Sequence, residues 1–217
     1  MVNNLSKLLE NKVTFIIGSE KNVGKTTFFN LARGAIKGTR HLLATIGVDG
    51  EKQDLVHGNT KPQILVDTDE YVVTTDSMLN SSDAELELVE IFPFKTVLGR
   101  MSIARVLRQG TLELVGPGSN EQLSHILEYA KNELNINTML IDGAINRITQ
   151  ISSSSKTSLA KASFIYVLTV TQNNINSSID KMKLIYELSK CQDDNNGKVM
   201  SADHYYLPGA LTTDKLS

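Results

Sequence analysis

The sequence predicts an α/β domain: a doubly wound, mainly parallel sheet with a β-rich middle section. Three observations carry that prediction. The loop Gly18–Thr27 lies between an apolar run, Val13-Thr14-Phe15-Ile16-Ile17, and a stretch with helical spacing at Phe28, Leu31, Ala32, Ala35 and Ile36. That order, strand then loop then helix, is what a phosphate-binding loop needs. Two more apolar runs, 41–48 and 137–144, read as buried parallel strands with an aspartate and a glycine at or near the end of each. In the second half, apolar runs alternate with helical periodicity, the pattern of a sheet covered by helices.

The 217 residues suit a single domain spanning 1–217, with 50–118 as a β-rich elaboration that has no core of its own. Hydrophobic residues make up 41% and charged residues 21%, the composition of an ordinary globular chain. A formal net charge of −2 gives no reason to expect a nucleic-acid surface. No apolar run is long enough to span a membrane and the first residues do not read as a signal peptide, so a cytoplasmic location is expected. The single Cys191 excludes an intramolecular disulfide and suits a reducing compartment. His41, His57, His125 and His204 show no metal-ligand spacing.

The loop reads Gly18-Ser19-Glu20-Lys21-Asn22-Val23-Gly24-Lys25-Thr26-Thr27. Glycine lets successive backbone N–H groups turn toward one anion, and the following helix adds its positive N-terminal end. In such a loop Lys25 reaches the β- and γ-phosphates, Thr26 ligates Mg²⁺ and Thr27 sits near the α-phosphate. The common G-x-x-x-x-G-K-[ST] pattern would place its first glycine at Ser19; here that glycine is Gly18.

In chain order, Leu5, Leu8 and Leu9 mark a short amphipathic helix before the first strand. After the helix behind the loop, Gly38-Thr39-Arg40 is a break, and the run 41–48 ends in Asp49-Gly50-Glu51. Asp49 stands where the carboxyl end of a strand meets a ligand, although Asp-Gly is also a common turn pair. Gln63–Val66 and Tyr71–Thr75 read as short strands around the polar turn 67–70, and 88–92 as another. Residues 102–108 and 111–115 around Gln109-Gly110 predict a hairpin. Arg100, Arg105 and Arg108 read either as contacts for phosphate or an acidic partner, or as a solvated strand face. Ser119 with Gln122 predicts a capping box for a helix running to about Leu134. The strand 137–144 ends in Asp142, as a Walker B strand does, and Asp142 would hold Mg²⁺ there. Asn146 and Arg147 are open to a site role or a loop role. Ser152–Ser155 reads as a polar loop and 158–162 as a short helix. A buried strand follows at 164–170, then a helix marked by Ile175, Ile179, Met182 and Ile185. His204–Leu207 reads as a last strand before Pro208–Thr212.

The loop register resembles that of dethiobiotin synthetases, and more widely the P-loop class that includes nitrogenase iron protein and the cell-division and partition ATPases. That resemblance implies a P-loop NTPase domain binding Mg²⁺ and ATP, with Lys25, Asp49 and Asp142 in catalytic roles and Thr26, Asp142 and Asp49 around the metal. The absence of an Asn-Lys-x-Asp motif after a late strand favours ATP over GTP. Many members carry a lysine five places before the loop lysine that crosses a dimer to the partner's nucleotide. Glu20 holds that position here. The trans-acting role is therefore not carried over, and a homodimer stays an open alternative.

Gly18–Thr27, 46–51, 140–144 with Arg147, and 208–212 together resemble the small P-loop subunit of reactivases for adenosylcobalamin-dependent lysine 5,6-aminomutase. That resemblance implies a chaperone-like ATP hydrolase working with a second ATPase subunit on an aminomutase. The other expectation is a dethiobiotin-synthetase-like ligase or kinase acting on a small carboxylic acid, with Lys52, Lys61 or Arg100 as substrate-binding cations. Such synthetases carry a Lys-Pro pair on the second strand, whereas Lys61-Pro62 lies beyond it.

Overall fold

The structure is a computed structural model that describes residues 2–20, 23–46, 63–144 and 162–190. In order, the elements are α1 (Val2–Leu9), β1 (Val13–Gly18), α2 (Lys25–Ala35), β2 (His41–Thr45), β3 (Ile64–Val66), β4 (Tyr71–Thr75), α3 (Asp76–Ser81), β5 (Glu85–Thr96), β6 (Gly99–Arg108), β7 (Gly110–Leu112), α4 (Asn120–Asn132), β8 (Thr138–Ala144), β9 (Ser163–Val167) and α5 (Ile175–Lys190). Seven strands form one mixed sheet in the order β5-β6-β4-β2-β8-β1-β9. The block β4-β2-β8-β1-β9 is parallel throughout, while β6 and β5 run antiparallel beside β4.

The apolar runs are continuous because both faces of the sheet are covered. Phe15 and Ile17 of β1, Leu42 and Ala44 of β2, and Met139 and Ile141 of β8 face α4, whose Leu123, Ile126, Leu127 and Ala130 complete one cluster. The intervening Ile16, Leu43 and Leu140 face the other way, onto Phe29, Ala32 and Ile36 around α2 and Leu9 of α1. This is the period-two alternation of a strand, buried on both sides.

The middle section extends the central sheet instead of folding apart. β4 enters the parallel block, and β5 with β6 prolongs it. Only β3 and β7 stand outside, as a small antiparallel pair whose Ile64, Val66 and Leu112 pack into the α2-side cluster. The hairpin expected at Gln109-Gly110 does not form. β6 already has β4 on one edge and β5 on the other, so β7 finds no free edge there and pairs with β3. The hairpin that exists joins β5 to β6 through Val97-Leu98, with Thr96 opposite Gly99. As the outermost strand, β5 carries Pro93, Glu85, Glu87 and Lys95 and three register shifts, features that discourage further edge pairing.

Arg100, Arg105 and Arg108 all pair with acids of this chain. Arg100 Nε lies 3.1 Å from Asp76, Arg105 Nη2 2.5 Å from Asp69 and Arg108 Nε 3.6 Å from Glu85. The turn before β4 is less solvated than its composition predicts. Glu70 is buried, and its carboxylate meets Arg33 Nε at 3.3 Å, His41 Nε2 at 3.2 Å and the Asp67 backbone N–H at 2.8 Å. That network ties the C-terminal half of α2 to the start of β2.

The cap of α4 forms on Ser119, whose hydroxyl accepts from the Gln122 backbone N–H at 3.2 Å. Gln122 Oε1 reaches back to the N–H of Gly118, one residue short of the reciprocal partner a capping box would use. In α5, Ile175, Ile179 and Met182 are 48%, 38% and 44% exposed and Ile185 is half-buried; among the residues of this helix whose burial is described, Ser178 is the buried one. The helical period holds there, but the burial expected from it does not.

One acid-side prediction arises here. The Thr111 backbone N–H and hydroxyl both donate to Asp83 and hold its carboxyl below the ordinary aspartate range. A carboxylate whose folded-state pKa is lowered adds stability above its unfolded value, about 4, and loses it as pH falls through the folded value. Asp83→Asn should therefore flatten the decline of unfolding free energy between about pH 4 and pH 2, as read from urea titrations.

Candidate functional site

The site is built where β1 and β8, adjacent and parallel, end together. Ile16 lies opposite Asp142, Ile17 opposite Gly143 and Gly18 opposite Ala144. Beyond Gly18 the chain loops and enters α2 at Lys25. Gly24, the N-cap, has φ 89° and ψ 16°, a left-handed conformation that side chains with a Cβ resist. Among the described residues no side chain caps this helix end, and no acid lies in its first turn. Its first N–H groups and positive end therefore face outward without a competing carboxylate on the helix. Thr26 and Thr27 are exposed beside them.

Lys25 Nζ sits 2.8 Å from Asp142 Oδ1 and donates to the Gly143 carbonyl at 3.3 Å. The two side chains are 30% and 29% exposed, so the ion pair stands at the open end of the sheet. The end of β2 is bound to the same point: the Ile46 N–H and the Thr45 hydroxyl both donate to the Asp142 carbonyl, at 2.8 and 3.1 Å. The structure thus brings together Gly18, Gly24, Lys25, Thr26, Thr27 and Asp142. Lys21, Asn22, Asp49–Glu51, Lys52, Lys61, Asn146, Arg147 and the 208–212 segment lie outside the described residues.

The other flank of the loop leans on β9 and α5. The Ser19 N–H donates to the Val167 carbonyl at 2.9 Å, and the Thr169 hydroxyl donates to the Val23 carbonyl at 3.4 Å. Lys181 of α5 meets Glu20 at 2.5 Å. Lys181 holds the Glu20 carboxyl below its usual range, and Glu20 raises the lysine. Burial pushes the Tyr166 hydroxyl, close to Ser19, above the usual tyrosine range. A small open hollow of about 70 Å³ lies between the loop and α5. Sequence reasoning missed this flank: Lys181 is 161 residues from Glu20, and no local spacing pairs them.

Gly18 is required by space. A Cβ there would fall 2.8 Å from Val23 Cγ2 and 3.3 Å from the Glu20 carbonyl, because the loop folds back over it. Gly34, in the last turn of α2, has nothing within 4 Å. Gly18→Ala should therefore displace Val23 and lower stability by about 1–3 kcal/mol. Gly34→Ala should raise stability by about 0.4–1 kcal/mol. Thermal melts and urea unfolding check both.

The fold and site define a mixed α/β protein with a mostly parallel central sheet and a lysine–aspartate pair at the sheet's carboxyl edge. No protein family, no curated protein and no solved structure matches this chain. No helix among the described residues is long and apolar enough to cross a membrane.

Proposed function

We propose that this chain is a P-loop ATPase that binds Mg-ATP and acts as a switch subunit in reactivating an adenosylcobalamin-dependent aminomutase. The observation that carries the nucleotide part is the meeting of Lys25, at the uncapped head of α2, with Asp142 on the strand beside β1. The reactivase part rests on the sequence resemblance.

The residues fit a magnesium triphosphate. The uncapped N–H groups of α2 offer donors, the exposed Thr26 hydroxyl offers an oxygen ligand, and Asp142 already holds a cation. Thr26 and Asp142 would hold Mg²⁺, which when bound neutralises charge on the β- and γ-phosphates. Lys25, whose ammonium rests on Asp142 in this structure, would bind the phosphate oxygens. Because the Asp142 carbonyl also binds Thr45 and Ile46, a change at Asp142 is felt at the end of β2. That gives a physical route from the nucleotide to the surface, of the kind switch ATPases use.

The ligase alternative needs free cations for a carboxylic acid. Of those expected, Arg100 is committed to Asp76, and Lys52 and Lys61 lie outside the described residues. A pull-down from native extract with and without Mg-ATP separates the two readings. The switch reading expects nucleotide-dependent recovery of an aminomutase or a second ATPase, and slow turnover alone. Turnover triggered by a small carboxylic acid, with no protein recovered, would overturn it.

A further inference from the structure

We propose that Lys181 is a second phosphate-directed cation, carried by α5 and parked on Glu20 until a triphosphate arrives. This rests on reading residues 18–27 as a phosphate-binding loop. The loop is bracketed by two lysine–carboxylate pairs. On the β8 flank Lys25 rests on Asp142 at 2.8 Å; on the β9 flank Lys181 rests on Glu20 at 2.5 Å. Between loop and helix lies the hollow, whose nine lining side chains are polar except Val23 and Leu168, so it suits a charged, hydrogen-bonding ligand better than an apolar one.

The start of α5 is held in place for such a role. Asn174 accepts from the Thr171 N–H at 2.6 Å, donates to the Thr169 carbonyl at 3.0 Å, and through its own carbonyl accepts from the Ser178 N–H at 2.8 Å. Thr169 in turn binds the loop at Val23. The helix that bears Lys181 is thereby referenced to the loop itself.

The charges favour an exchange. Glu20 and Lys181 are 65% and 40% exposed, and an exposed ion pair is weak enough to break without cost to the fold. A bound triphosphate places several negative charges beside Glu20, and a bare carboxylate there would repel them. Lys181 gains more from those phosphate oxygens than from one solvated carboxylate. The terminal phosphate distinguishes tri- from diphosphate, so the contribution of Lys181 falls mainly on the triphosphate.

The test is calorimetric titration of Mg-ADP and of a non-hydrolysable Mg-ATP analogue into the full chain. Lys181→Met should weaken the triphosphate analogue about tenfold more than the diphosphate, the loss of one charge-assisted contact, with the thermal melt unchanged. Lys181→Arg should recover most of the loss. The double variant Glu20→Gln/Lys181→Met should recover only the part of the loss that a bare Glu20 causes and stay weaker than wild type. Equal weakening of di- and triphosphate would overturn the proposal. So would a double variant restored to wild-type affinity, since Lys181 would then only screen Glu20. Binding that is lost in Lys25→Ala upholds the loop reading whatever happens at Lys181. A wild-type chain that binds neither nucleotide overturns the loop reading, and this proposal with it.

Discussion

On the proposed reading, Lys25→Ala should lose Mg-ATP binding by about a hundredfold or more and keep its fold. The side chain supplies a cation to two acceptors at the open end of the sheet, Asp142 Oδ1 and the Gly143 carbonyl. On that reading the ammonium would exchange these for phosphate oxygens; charge-assisted contacts to phosphate are worth about 1.5–3 kcal/mol each, and two of them reach a hundredfold. The fold tolerates the loss because Asp142 is 29% exposed and water replaces the ammonium. Titration calorimetry reads the affinity, and circular dichroism with a thermal melt reads the fold. Unchanged affinity with turnover intact would sink the phosphate-loop reading.

Phe15→Ala has the largest expected effect on stability, a loss of about 3–5 kcal/mol. Phe15 is fully buried in β1 and stacks on Phe164 of β9, with ring centroids 5.4 Å apart and planes at 18°. Its neighbours in the cluster include Leu42, Met139, Leu123 and Leu127. Strands on both sides and α4 above hold that wall in place, so the cavity cannot collapse fully. Against a typical total of about 5–15 kcal/mol, much of the fold's margin goes. Urea unfolding checks the size. The proposed nucleotide site should weaken in parallel only as far as the protein unfolds, because Gly18 and Lys25 lie at or beyond the end of β1.

The order of elements could be read from local chemistry. Continuous apolar runs marked β1, β2 and β8 because strands covered on both faces need no polar residues; the run 164–170 reads as buried too, but β9 is an edge strand that stops at Val167, and Phe164 is 41% exposed. Ser119 with Gln122 marked the start of α4, because an orphan N–H at a helix end wants a nearby oxygen. Gly18, Gly24 and Lys25 were legible as a loop because their order between strand and helix is itself the signal. Asp142 stood out for the same reason, at the end of an apolar run.

What each strand pairs with was not local. Gln109-Gly110 has hairpin composition, yet β6 had both edges occupied, and β7 crossed to β3. Competition for an edge depends on the whole sheet and has no local trace. Glu70 looked like one more polar turn residue, but Arg33 and His41 arrive from α2 and β2 and make its burial affordable. Glu20 and Lys181 likewise meet only because β9 lies beside β1 and delivers α5 to the loop. The sequence by itself determined most of the strands and helices, though not the short α3 (Asp76–Ser81), and where the glycine loop falls, through periodicity and backbone freedom. Only the tertiary structure decided the sheet order and the charge pairs on either flank of the loop, because those depend on which distant segments compete for the same edge and the same carboxylate.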